Sequence, residues 1–159
     1  MKILGVDPGL RVSGYGLLEQ VGREVRVLDA GLIRADSDQE LSTRLQSIYR
    51  DFTDLIAEST PAAVAVEDLY AHYKHPLTAV KMAHARGAIL LAAAQNGVEI
   101  RSYAATRVKK SLTGNGRAGK QQMQQAITTQ LHLPAVPEPP DVADALALAL
   151  CCLSETAPI

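Results

Sequence analysis

Lys2-Ile3-Leu4-Gly5-Val6-Asp7-Pro8-Gly9 opens as an apolar run that an acid, and then a turn, cut short. Proline fixes φ and glycine allows positive φ, so the stretch reads as a short β-strand over 2–7 ending in a turn. Residues 12–19 and 24–34 follow, separated around Gly22. Their β-branched content and alternation predict two more strands and a three-stranded antiparallel meander. Gly14 and Gly16 in the second strand would let another group approach its backbone closely.

The period then changes. Leu41, Leu45, Ile48, Phe52, Leu55 and Ile56 fall on one face of a helix over 37–58, which Pro61 ends. Residues 62–66 are continuously apolar, as in a strand buried on both faces, and that run stops at Glu67. A helix over 77–96 is stopped by Gly97, and a short strand over 98–103 follows. Further helices are predicted over 104–112, 120–132 and 141–153, with a flexible loop where 113–119 holds three glycines. The order β-β-β-α-β-α-β-α-α-α gives an α/β class: one mixed sheet flanked by α-helices, in a single domain over 1–159.

A hydrophobic content of 47% with 21% charged residues suits a chain that buries a core, and argues against disorder. The apolar run 3–6 is too short for a signal peptide. The run 145–153 falls short of the roughly 20 residues that a membrane span needs. A cytoplasmic protein with no membrane partner is therefore expected. Cys151 and Cys152 are adjacent at the end of an apolar run and suit core packing in a reducing compartment.

The net charge of −1 conceals a segregation. Residues 69–137 hold nine basic side chains and one acid, Glu99, for a net +8; the remainder carries −9. Such a distribution suits one face that meets a polyanion, although solvated basic helix faces would give it too.

Asp7 and Glu67 occupy equivalent places at the ends of apolar strands, where a charge is costly unless compensated. Alone, Asp7 suits a turn cap and Glu67 a strand end facing solvent. Pro139-Pro140-Asp141-Val142-Ala143-Asp144 adds two acids three apart on one face of a helix start. Alone, that pattern suits an N-cap with a second acid meeting the macrodipole. Four carboxylates gathered at one end of a sheet would repel one another unless cations sat between them. Hard oxygen ligands select Mg²⁺ or Mn²⁺, and two such ions suit phosphodiester hydrolysis. His72 and His75 lack the partners of a zinc site. A glycine-rich loop flanked by Lys109, Lys110, Arg117 and Lys120 could wrap a phosphate backbone.

In these residues the chain resembles the RuvC family of crossover-junction endodeoxyribonucleases, within the ribonuclease-H-like superfamily. The resemblance runs through Ile3-Leu4-Gly5-Val6-Asp7-Pro8-Gly9, Ser13-Gly14-Tyr15-Gly16, Val66-Glu67, Ala85-Arg86-Gly87 and Tyr103-Ala104-Ala105. Val108-Lys109, Gly114-Asn115-Gly116, Lys120 and Asp141-Val142-Ala143-Asp144-Ala145-Leu146 complete it. Each motif is weak alone, and their order and spacing together are specific. The resemblance implies a catalytic, metal-holding set of Asp7, Glu67, Asp141 and Asp144, with two Mg²⁺ or Mn²⁺ ions. It implies a five-stranded mixed sheet of order 3-2-1-4-5, and a homodimer that nicks opposed strands of four-way DNA junctions beside the RuvA–RuvB branch-migration complex. Lys120 is expected near the scissile phosphate, with Lys109 and Arg117 positioning DNA. Tyr70, where the family often has Phe, is expected to stack on bases, and Tyr73 is a second candidate. Lys74, Arg86 and Lys110 complete the expected DNA contacts. Asp68 departs from the family's usual neutral residue, and alternation should point it away from Glu67. Part of the dimer interface is expected on the Ala-rich helix over 77–96.

Two rivals keep the fold and change the activity: a ribonuclease-H-like enzyme cutting RNA–DNA hybrid or RNA, and a module that binds junctions without cutting. A third, an actin-like nucleotide-binding protein, lacks a second Gly-rich phosphate loop and a Walker A pattern here.

Overall fold

The computed structural model describes residues 1–69 and 75–156. Tyr70, His72, Tyr73 and Lys74, singled out above, lie outside the described residues. Strands β1 (Lys2–Asp7), β2 (Val12–Val21) and β3 (Glu24–Arg34) form the expected meander, with β4 (Ala63–Glu67) and β5 (Glu99–Tyr103) added in parallel. The sheet order is β3-β2-β1-β4-β5, as the resemblance implied. Helices α1 (Leu41–Ser59) and α2 (Pro76–Gln95) fill the crossovers; α3 (Ala105–Thr113), α4 (Lys120–Gln130) and α5 (Pro140–Thr156) complete the chain.

Side-chain alternation divides the core in two. Ile3, Ala63 and Ala65 point into a cluster with α3, α4 and α5. Leu4, Val6 and Val64 point the other way, into a cluster with Ile48, Phe52 and Ile56 of α1 and Ala85, Ile89 and Ala92 of α2. A period of two therefore puts Asp7 and Glu67 on the α5 side. α5 is buried nearly all round, and Cys151 and Cys152 lie in it as free, fully buried core residues.

α5 lies unusually close to the sheet because three strand positions have no side chain. A Cβ on Gly5 would overlap the Ala145 carbonyl and stand 2.8 Å from the Ala149 nitrogen. One on Gly16 would stand 2.6 Å from Leu146 Cδ2. One on Gly14 would overlap the Asp141 carbonyl and stand 2.9 Å from Asp141 Cβ. Real side chains do not tolerate such separations, so these glycines are what the helix rests on.

Several boundaries differ from expectation, most by one to three residues. α1 begins at Leu41 rather than at residue 37 because Asp36 makes a turn first: its carboxylate accepts from Asp38 N at 2.9 Å and its carbonyl from Gln39 N at 3.3 Å. α4 ends at Gln130, and His132 beyond it takes a positive φ of 51°. α5 starts at Pro140, a residue suited to a first helical position, so Asp141 lies inside the first turn instead of capping it. The glycine-containing segment after α3 is also more fastened than expected. Gly114 ends the helix at φ 74°, Asn115 Oδ1 accepts from Arg117 N at 2.9 Å, and Ala118 is buried.

Candidate active site

The four acids converge at the carboxyl-terminal ends of the central strands. Val6 pairs with Val66, so continuing the parallel register sets Asp7 beside Glu67. On the other flank Asp7 pairs with Gly14, the residue whose missing side chain admits the Asp141 backbone. One strand register thus brings β1, β4 and the first turn of α5 to a single point. Asp144, one turn further along α5, faces the same way.

Electrostatics records how close they are. The Asp7 carboxyl is pushed up from 3.8 to about 8, first by burial, then by the charges of Asp144, Asp141 and Glu67, and by a hydrogen bond with Asp141. Glu67 is raised by burial and then by Asp144, while Lys109 pulls it back. Asp144 keeps solvent contact, yet it too is raised, by desolvation and Asp141 against the pull of Lys120 and Lys109. Holding all four charges together is therefore unfavourable in the protein alone.

Among the described residues, no three His, Cys, Asp or Glu side chains stand close enough to close on an ion as they are. The donor set nevertheless suits a hard divalent cation: oxygen ligands only, from three elements, in a field that a positive charge would relieve. Asp7, Glu67, Asp141 and Asp144 are the residues that would hold it.

Beside the acids lies a cleft of about 350 Å³. Glu67, Asp144, Lys109 and Lys120 line it over an apolar wall of Val108, Met123 and Ile127. The cleft therefore presents two carboxylates and two ammonium groups together, a combination suited to a phosphate approached by both metal and protein cations. Lys120 is the first residue of α4 and exposed. Lys110 and Arg117 are exposed but outside the cleft lining.

Arg86 was expected among the DNA contacts, but its guanidinium is engaged inside the protein. Nε donates to the Glu67 carbonyl at 3.0 Å, and Nη2 to Ser102 Oγ at 2.8 Å and Asp68 Oδ1 at 3.5 Å. Only 18% of its side chain is exposed. The pairing also draws Asp68 toward α2, away from the α5 side, as alternation requires. Arg86 thus fixes the backbone that carries Glu67.

Two further residues shape the site and were not singled out. Ser13 is fully buried; its Oγ accepts from Gly9 N at 3.0 Å and donates to Gly9 O at 2.9 Å, clasping the turn after Asp7. Arg44 of α1 donates through Nη2 to Leu10 O at 3.0 Å and pins the same loop from the other side. Ser13 belongs to a recognisable Ser-Gly-Tyr-Gly run, but its partner is set by a turn; Arg44 left no signal, its partner lying 34 residues away.

Comparisons with known proteins bear on the family and the fold. The family model described as crossover junction endodeoxyribonuclease RuvC matches residues 3–152. A protein of that name from Rhodopirellula baltica is 46% identical over 149 residues, covering 94% of this chain and 84% of the relative. The Thermus thermophilus RuvC structure superposes with a TM-score of 0.86 at 30% identity, covering 95% of this chain and 92% of that one. The same protein in complex with a Holliday junction substrate gives 0.85 at 29% identity, with the same coverage.

Proposed function

The chain belongs to the RuvC family of crossover junction endodeoxyribonucleases, and on that premise we propose that it resolves four-way DNA junctions by paired, symmetric phosphodiester hydrolysis in recombination and repair. The observation that carries the reading is the convergence of four carboxylates at one sheet end, registered in an Asp7 carboxyl raised to about 8.

As a nuclease of this family it depends on a divalent metal. Two Mg²⁺ or Mn²⁺ ions held by Asp7, Glu67, Asp141 and Asp144 would supply Lewis-acid stabilisation of the phosphate and activation of water. The chain's own residues do the rest. Lys120, at the mouth of the cleft, neutralises charge that builds on the phosphate in the transition state. Lys109 beside it, with Lys110 and Arg117 outside, holds the backbone in register. Arg86 and Ser13 keep Glu67 and the Asp7 turn from drifting, which matters because catalysis tolerates little misplacement. Tyr70 or Tyr73 would stack on bases at the opened junction, and Lys74 would contact the DNA.

Symmetric cutting calls for two copies. α2 carries Leu77, Val80 and Leu91, which are 75%, 52% and 51% exposed, with His84 and Gly87 between them at alternating spacings of three and four. Such a stripe suits a helix seam between two copies of this chain. By length and composition α2 alone among the described helices could cross a membrane, but it contains Lys81 and Arg86 and packs its other face on α1. A cytoplasmic homodimer working with the RuvA–RuvB complex completes the proposal.

The test is Asp7→Asn on a synthetic junction with a mobile core. Cleavage in Mg²⁺ should vanish while junction affinity stays within a few-fold of wild type. A fully active variant would remove Asp7 from the metal site and the reading with it.

A further inference from the structure

We propose a second phosphate-backbone site on the α1–α2 side of the carboxylates: a groove in which Arg11, Arg44 and Lys81 hold the junction strand about two to three nucleotides from the cut. The inference rests on the reading that the substrate is DNA. It adds cations that lie on the opposite face of the sheet from Lys109 and Lys120.

The groove encloses about 570 Å³ between the loop after β1, the start of α1 and the first turns of α2. Its floor is Gly9 and Leu10, its walls include Ser37 and Thr78, and its three charged residues are all basic. The acids near it in sequence, Asp7, Asp36, Asp38 and Glu40, do not line it; Asp36 is occupied with the turn before α1. Among the described residues, none of the three cations has a carboxylate within 4.0 Å, whereas Arg26, Arg50, Arg86, Arg101 and Arg107 each do. Arg44 Nε is enclosed without any acceptor. Three cations thus line this groove with no carboxylate in direct contact with them.

The groove is also built to hold its shape. The Leu10 carbonyl is tied to Arg44, and the Arg11 carbonyl accepts from Ala35 N at 3.0 Å. The loop that presents Arg11 is therefore fastened at consecutive residues while the Arg11 side chain stays exposed. Lys81 reaches the groove from α2 and is exposed as well.

Position assigns the ligand. Gly9 follows Asp7 by two residues, so the groove floor begins at most ~7 Å from the Asp7 backbone. One strand of a duplex rises about 3.4 Å along the helix axis per nucleotide, so a floor this near the carboxylates falls about two to three nucleotides from a strand cut there. A strand cut at the carboxylates can lay its neighbouring phosphates on this floor.

The test measures junction binding against salt with chelator present, so that nothing is cut. A variant carrying both Arg11→Ala and Lys81→Ala leaves Arg44 to hold the loop. Each lost phosphate contact removes about 0.9 from the slope of log K against log salt, so the double variant should lose about 1.8. Its thermal midpoint should be unchanged, and Arg11→Lys with Lys81→Arg should restore the slope. Arg23→Ala, at the β2–β3 turn on the far end of the sheet, should leave the slope as in wild type. Junctions with neutral methylphosphonates two and three nucleotides from the cut should weaken wild type but not the double variant. An unchanged slope in the double variant, with wild type binding normally, overturns the groove alone. Additive losses from the variant and the neutral linkages would overturn it as well. Failure of wild type to bind junctions would overturn the functional reading and this one together.

Discussion

Replacing Gly14 with alanine should separate the architecture of the site from its chemistry, because it changes no charged or metal-holding group. The added methyl would overlap the Asp141 carbonyl and stand 2.9 Å from Asp141 Cβ, where carbon atoms normally pack at about 3.5–4.0 Å. Both obstacles belong to the first turn of α5, and a carbonyl cannot rotate away as a side chain can. The helix start must therefore retreat from β2 by roughly 1 Å, taking Asp141 and Asp144 away from Asp7 and Glu67. Overpacking of this kind costs about 1–3 kcal/mol in stability. A misplacement of 1 Å in a reacting constellation costs on the order of 100-fold in rate, or about 2.7 kcal/mol on the barrier. The assay is single-turnover cleavage of a four-way junction, with junction affinity measured in chelator and the thermal midpoint alongside. We expect kcat to fall by about 100-fold with affinity nearly intact. Gly16→Ala is the comparison: its methyl meets mainly the Leu146 side chain, so stability should drop while the rate per folded molecule changes by less than about threefold. Wild-type kcat in Gly14→Ala would refute the claim that close docking of α5 assembles the site.

Other perturbations bear on separate parts of the account. Lys120→Ala should slow cutting by at least tenfold while weakening junction binding only slightly; equal losses in both would make it a positioning contact. In chelator, stability should fall as pH rises from about 4 to 8, because the folded state holds the Asp7 proton more tightly than the unfolded chain does. With a carboxyl raised from 3.8 to about 8, that loss is on the order of several kcal/mol above pH 8. Mg²⁺ should restore it, Asp7→Asn should flatten the profile, and denaturant titrations at pH 5 and 8 would reveal a contrary trend. Arg86→Ala should raise the Mg²⁺ concentration needed for half-maximal cutting more than it alters junction affinity, with Arg86→Lys recovering only part; a pure loss of affinity would return Arg86 to the DNA surface. Ser13→Ala removes the two hydrogen bonds that clasp the part-buried Gly9 backbone and should cost about 1 kcal/mol in stability, read by chemical denaturation.

β2 and β3 were legible because alternation and the turn between them are local properties, and β1 and β4 because a short apolar run closed by an acid is one too. So were Asp7 and Glu67, since an acid closing an apolar strand is visible without knowing its neighbours. What joins them to Asp141 is not local: it depends on Asp7 pairing with Gly14 and on α5 descending onto that glycine. The sequence shows that Gly14 and Gly16 permit a close approach, not what approaches. The start of α1 was misplaced because the helical pattern of its apolar residues continues past a turn that Asp36 side-chain bonding stabilises. Arg86 illustrates the larger gap. Charge is written in the chain but direction is not, and its position on α2 turns the guanidinium to the Glu67 carbonyl. Arg11 and Arg44 escaped the charge argument for the converse reason. They sit in segments whose net charge is acidic, and only folding brings them beside Lys81.

The most direct measurement incubates the protein with a mobile four-way junction, matched linear duplex and RNA–DNA hybrid, each in Mg²⁺, Mn²⁺ and chelator. The account predicts paired, symmetric nicks confined to the junction and abolished by chelator. Cutting of the hybrid alone, or junction binding without nicks in either metal, would contradict it.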